Sequence, residues 1–124
     1  MSRDSRYRFF DRHMTNKHGR TWGHVHEDCR DAIFNYLVHG YEPGGFLTAV
    51  ITNDLRRAAC VADFENIERL GHVARFVAHA LPEICTGSWN AMSYWMQLSE
   101  REREEILIEV RLLPTLFDVI KDPY

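Results

Sequence analysis

Pro43-Gly44-Gly45-Phe46-Leu47-Thr48-Ala49-Val50-Ile51-Thr52-Asn53-Asp54-Leu55 is the stretch that decides the fold. A proline and two glycines break the chain, and apolar residues at helical spacing begin directly after them. Glycine reaches backbone angles closed to other residues, so this reading has a tight turn feeding straight into a helix. The helix is predicted over 46–59, with Leu47, Val50, Ile51, Leu55 and Ala58 as its inner stripe. The N–H groups of its first turn have no partner within the helix and can hold an anion or a turn carbonyl.

Helices are predicted on both sides of this turn. Upstream, Val25, Cys29, Ala32, Ile33, Tyr36 and Leu37 recur at helical spacing over 24–39, and Gly40 stands where a helix would end. Downstream, Asp63 has the chemistry of an N-cap, accepting from the N–H of Glu65 or Asn66, for a helix that runs to 81 and stops at Pro82. This helix has an apolar stripe of Ile67, Leu70, Ala74, Val77 and Leu81. Glu68, His72, Arg75 and His79 form a second stripe about 200° away, at about 100° per residue. Gly87 and Ser88 open a short helix that carries Trp89, Met92, Tyr94, Trp95 and Met96. Its aromatic residues read mostly as core, with one or two available to a partner or a base. Ser99 and Glu102 stand at capping-box spacing ahead of a helix to about 113, broken at Pro114 and followed by a short turn over 116–120. Ile106, Ile108, Val110 and Leu112 alternate as a strand would, but the cap in front of them and the want of a partner strand favour helix.

The expected fold is therefore all-α: a compact bundle of about five helices over 24–124, preceded over 1–23 by a basic arm. The 124 residues are one domain's worth, and 45% hydrophobic with 27% charged residues is a globular composition. Charge is uneven. The first twenty residues carry Arg3, Arg6, Arg8, Arg12, Lys17 and Arg20 against Asp4 and Asp11, a balance of +4 that leaves −7 for the rest of a chain whose total is −3. Such an arm suits nucleic acid, a nucleotide or the acidic body of a neighbouring subunit, with Tyr7, Phe9 and Phe10 able to stack a base or dock on the body. No apolar run approaches the roughly 18 residues of a membrane span, and the first ten residues hold no signal-peptide core, so a cytosolic chain is expected. Cys29, Cys60 and Cys85 read as free thiols.

The central residues resemble the shared core of a family of small, mostly uncharacterised proteins of tailed bacteriophages. That core is an aromatic residue, a short loop, Pro-Gly-Gly/Ser-Phe-Leu, Ala-Val and Asn-Asp-Leu, then Ala-Asp, an Asn, and later Pro, Gly-Ser and Trp. Here it is met by Tyr41, Pro43, Gly44, Gly45, Phe46, Leu47, Ala49, Val50, Asn53, Asp54, Leu55, Ala62, Asp63, Asn66, Pro82, Gly87, Ser88 and Trp95, over roughly the middle half of the chain. The basic arm before it and the acidic helix after it depart from the family pattern. The resemblance implies a phage origin, the host cytoplasm as the place of action and a helical fold. It implies no activity of its own. As a class, phage accessory proteins of this size often block a host defence by binding a defence protein or by sequestering its nucleotide signal.

Candidate ligand-binding residues fall in three places. His72, Arg75 and His79 share a helix face on which an arginine and two imidazoles can meet phosphates. The basic arm, with Arg6 and Arg8 beside Tyr7, Phe9 and Phe10, is the expected source of further charge. Gly45 and Thr48 can offer N–H groups and a hydroxyl at the turn, though a lone glycine pair serves packing more often than phosphate binding. His24, His26 and Cys29 make an H-x-H-x-x-C spacing with no second ligand pair, so no metal or other cofactor is expected. No nucleophile elbow, Walker loop or H-E-x-x-H motif is present, and Cys29 or Cys60 beside a histidine is the one route left to a catalytic dyad.

The reading is thus a non-enzymatic, homo-oligomeric, phage-encoded binding protein that counters a bacterial defence. The alternatives are a DNA-binding regulator that uses the arm and a helix-turn-helix around 46–81, or a virion structural or assembly protein. Glu65 and Glu68, in the first turns of the would-be recognition helix, count against the regulator.

Overall fold

In the computed structural model, which describes residues 5–115, the basic segment is a helix and not an arm. Helix α1 spans Ser5–Trp22 and buries Tyr7, Phe10, Met14 and Trp22. The apolar spacing of the first three is helical, but arginines and histidines interleave with them densely enough to hide the period. Phe10 meets Trp22 edge-on with ring centroids 5.6 Å apart, and Trp22 in turn lies 4.7 Å from Phe76. This helix is part of the core.

The order continues as α2 (Glu27–His39), α3 (Gly45–Ile51), α4 (Leu55–Val61), α5 (Phe64–Ala80), a single 3-10 turn (Glu83–Cys85), α6 (Trp89–Gln97) and α7 (Glu100–Glu109). The described residues thus form seven α-helices and no strand, where about five helices and an arm were expected. Two causes account for the difference: α1 itself, and the division of the predicted 46–59 helix into α3 and α4.

That division follows from capping chemistry. Asn53 takes the left-handed conformation (φ 63°). Its N–H bonds the Val50 carbonyl at 3.1 Å, and the Asp54 N–H bonds that of Ala49 at 2.8 Å, which closes α3 in a Schellman-type turn. The Asp54 carboxylate then accepts from the Arg57 N–H at 3.0 Å and so starts α4. An apolar stripe continues through this corner in the sequence, but the caps override it. Leu55, expected inside, is 65% exposed.

The glycines of the central turn have a humbler part than their composition suggests. Gly44 sits at φ −60° as the N-cap of α3, and positive φ among the described glycines occurs only at Gly40 and Gly87. A Cβ on Gly44 or Gly45 would meet nothing within 4 Å. The turn is held instead by Thr48, whose hydroxyl donates to the Pro43 carbonyl at 2.8 Å.

Other caps fall where expected. Gly40 ends α2 at φ 67°, Asp63 accepts from the Asn66 N–H at 2.8 Å, and Ser99 and Glu102 form a reciprocal capping box. The Ser99 N–H holds the Glu102 carboxyl below its usual range. The alternating segment is helical to Glu109 and is closed by Arg111 at φ 66°, after which Leu112 and Leu113 turn back into the core. The predicted turn over 116–120 lies outside the described residues. On α5 the buried stripe is rotated from its expected position: Val73, Phe76 and Val77 are buried, whereas Ile67 is 48% exposed. The centre of the core is Ile33, Tyr36, Phe76, Met92 and Trp95. The Trp95 indole N–H donates to the carbonyls of Tyr36 and Leu37, and the Tyr36 hydroxyl donates to that of Cys85 at 2.7 Å.

Candidate functional site: a cationic cleft between α1 and α5

Helix α1 lies along α5 and presents its last turns to the polar face of that helix. The α1 backbone is interrupted at His18, where φ −134° and ψ 31° leave the helical region. The interruption sits at the place where Lys17, His18 and Arg20 come up against Arg75 and His79. Together with Gly19 and Thr21 these side chains line a cleft of about 300 Å³. No carboxylate lines it. Lys17, Arg20 and Arg75 make no ion pair within 4 Å with any described residue.

Within the cleft, His18 packs on the aromatic core. The His18 ring meets Phe76 edge-on at 6.2 Å, and Phe76 is fully buried. Burial lowers the His18 pKa below its ordinary value, and the charges of Lys17 and His79 lower it further. His18 is therefore largely neutral near pH 7 and ready to take a proton once negative charge arrives. One turn up α5, the exposed His72 ring stacks on His24 at 4.3 Å with 16° between the planes. The basic strip thus runs from the His24–His72 pair to Arg75 and His79, with the end of α1 as its second wall.

The expected site residues separate into two groups. His72, Arg75 and His79 do share one exposed face, and α1 does meet it. The residues that reach it are Lys17 and Arg20, counted in the basic arm but not chosen for the site, and His18, which was not considered; their signal was the basic run around Gly19 placed one short loop before α2. Arg6 and Arg8 lie elsewhere. Arg6 approaches Glu100 at 3.8 Å beside His39, whose Nδ1 is 3.0 Å from the same carboxylate. Arg8 lines a larger groove of about 830 Å³ on another side of α1, with Arg12, Arg30, Asp11 and Glu27. Unlike the cleft, that groove is lined by carboxylates as well as arginines, and its Arg30 and Asp11 side chains already have partners. The Arg30 guanidinium donates to the Val25 and Trp22 carbonyls at 2.8 and 2.9 Å and lies over the Trp22 ring, while Asp11 accepts from the Trp22 indole at 2.7 Å.

Gly45 and Thr48 do not join the cleft. Helix α3 has seven residues, and the Thr48 hydroxyl is buried and occupied by the turn. The H-x-H-x-x-C residues are dispersed: His24 stacks on His72, the His26 Nδ1 accepts from the Asp28 N–H at 3.2 Å to cap α2, and Cys29 is buried. No group of three or more His, Cys, Asp or Glu side chains among the described residues is placed to hold a metal ion. Burial raises the Cys29 pKa and pushes that of Cys85 up to about 12, so both stay thiols at neutral pH. Cys60 is exposed on α4. No helix among the described residues is long and apolar enough to cross a membrane. No protein-family model, curated protein or solved structure matches the chain.

Proposed function

We propose that this chain is a non-enzymatic binding protein that holds a phosphate-bearing ligand in the cleft between α1 and α5. What carries the reading is the gathering of Lys17, Arg20 and Arg75, with His18 and His79, about one cleft that no carboxylate lines. Unpaired like charges held together repel one another, and a bound anion removes that cost while accepting charge-assisted hydrogen bonds. Arg75 and Arg20 supply guanidinium forks suited to phosphate oxygens, Lys17 supplies a mobile point charge, and the histidines supply donors that appear on protonation. The exposed His24–His72 pair, outside the cleft lining but on the same strip, offers an imidazole surface for a base or ribose. A nucleotide is thus the ligand class that the cleft fits best.

The biological setting comes from the resemblance around Pro43 to Leu55. In that setting the protein is phage-encoded, acts as a homo-oligomer in the host cytoplasm and counters a bacterial defence by sequestering its nucleotide signal. Occupation of a host defence protein through an acidic or phosphorylated surface is the variant of this reading in which the same cleft meets a macromolecule.

The test is a thermal-shift panel of cyclic di- and trinucleotides, ADP-ribose derivatives and pyrophosphate. At least one nucleotide should raise the melting temperature by several degrees and be recovered chemically intact. The Lys17→Glu/Arg75→Glu variant should lose that shift while its ligand-free melting temperature stays put. Absence of any shift across the panel, or hydrolysis of the stabilising nucleotide, would overturn the proposal.

A further inference from the structure

We infer that the start of α4 and the apolar recess beside it form the contact surface for a second copy of this chain. The inference rests on the oligomeric part of the proposed function and is independent of the ligand.

Helix α4 has seven residues and buries only Ala58. A helix this short draws its stability from packing, not from its own hydrogen bonds, and one alanine is little packing. Its first residue, Leu55, is 65% exposed and stands clear of the body as an apolar knob. Two residues earlier, Asn53 lines a recess of about 440 Å³ whose apolar surface comes from Val50, Ala74, Val77 and Ala78 and whose one charged residue is Glu83. The left-handed turn at Asn53 and the Asp54 cap start α4 at Leu55, which does not line its own recess.

Knob and hole also carry opposite charge. Arg56 and Arg57 follow Leu55, and Glu83 lines the recess. None of the three makes an ion pair with a described residue. In a two-fold arrangement, Leu55 of each copy enters the recess of the other and brings Arg56 or Arg57 to Glu83, so every contact forms twice. Such self-complementarity favours a second copy over an unrelated partner. It also favours a copy over DNA, although a buried α3, a three-residue turn and an exposed α4 make a shape that DNA-binding domains use. An exposed leucine with the Asp54 carboxylate at the same helix start suits a protein surface better than a phosphate backbone.

Sedimentation velocity from about 1 to about 300 μM tests the contact. The wild-type chain should move from monomer to dimer within this range. Leu55→Asp, which removes the knob, and Ala78→Trp, which fills the hole, should each weaken association at least tenfold with unchanged circular dichroism. Arg56→Glu/Arg57→Glu and Glu83→Arg should each weaken it severalfold, and the combined triple variant should recover most of the loss. A wild-type monomer throughout, a dimer indifferent to Leu55→Asp, or a triple variant no better than its parents overturns the inference. So does salt-steep binding of a monomer to duplex DNA that is lost with Arg56 and Arg57. Retention of the nucleotide thermal shift in Leu55→Asp separates failure here from failure of the ligand reading.

Discussion

The Arg103 guanidinium, on α7, occupies the space that a side chain on Gly40 would need. A Cβ at Gly40 would stand 2.7 Å from Arg103 Cζ and Nη1. Arg103 is buried and makes no ion pair with a described residue; its partners are backbone carbonyls. Nε donates to Val38 at 3.0 Å, and Nη1 donates to Leu98 and Trp95. These oxygens lie at the C-terminal ends of α2 and α6, where the helix dipoles place partial negative charge. One cation thus ties three helices together.

Gly40→Ala should therefore cost about 2–4 kcal/mol, part from the left-handed φ and part from displacing a guanidinium tied to three carbonyls. Arg103→Ala should cost about 3 kcal/mol by leaving those carbonyls unpaired. The double variant should fall well short of the sum, because the new methyl group then has room and only about 1 kcal/mol of backbone strain remains. Urea denaturation of the four proteins measures the cycle, and strict additivity would contradict the contact.

Gly45→Ala should leave stability unchanged or raise it by about 0.5 kcal/mol, and Gly44→Ala should stay within about 1 kcal/mol of wild type, since loss of a glycine N-cap opposes the gain. Neither position has a positive φ or a neighbour within 4 Å of a new Cβ, and alanine has less unfolded-state freedom to lose. A loss above about 1 kcal/mol in either variant would show that the turn needs glycine after all.

Asn53→Gly should stabilise the α3–α4 corner by about 0.5–1 kcal/mol, and Asn53→Val should destabilise it by more than about 1 kcal/mol. The left-handed φ of 63° sets both signs. If thermal melts rank the two variants the other way, helix 46–59 is continuous as its apolar stripe suggests.

The lowered His18 pKa has a signed consequence for stability. The unfolded chain takes up a proton near pH 6.5 while folded His18 still resists it, so folding stability falls as the pH drops through about 6.5 toward the lower folded value. His18→Gln should flatten that part of the melting temperature against pH and leave the curve above about pH 7 unchanged. Phosphate binding should act oppositely on the same group, since an anion favours the imidazolium. Affinity for a phosphodiester nucleotide should rise as the pH falls below about 6.5, and less so in His18→Gln. Equal slopes for wild type and variant would remove His18 from the site.

Much of this architecture is legible in the sequence because caps are local. Asp63, Ser88, Ser99 with Glu102, and Gly40 each act within about one turn of helix, so residue type and spacing suffice to place them. The stripe of His72, Arg75 and His79 is equally local, being set by helical period. Its partners on α1 are not. Lys17, His18 and Arg20 reach it because Trp22 packs on Phe76, a contact between residues 54 positions apart. Leu55 illustrates the converse. Its spacing placed it inside, but the Asn53 corner turned it out.

By itself the sequence determined that this chain is all-α, where most of its helices begin and end, and that one face of α5 is basic, since each follows from interactions within a few residues. Only the tertiary structure decided that the basic N-terminal stretch is a core helix, that its last turns complete the cleft, and that α4 leaves an apolar knob beside an apolar recess. Those outcomes depend on which buried surfaces meet. Burial of apolar area is non-directional and long-range in sequence, so no local pattern encodes it.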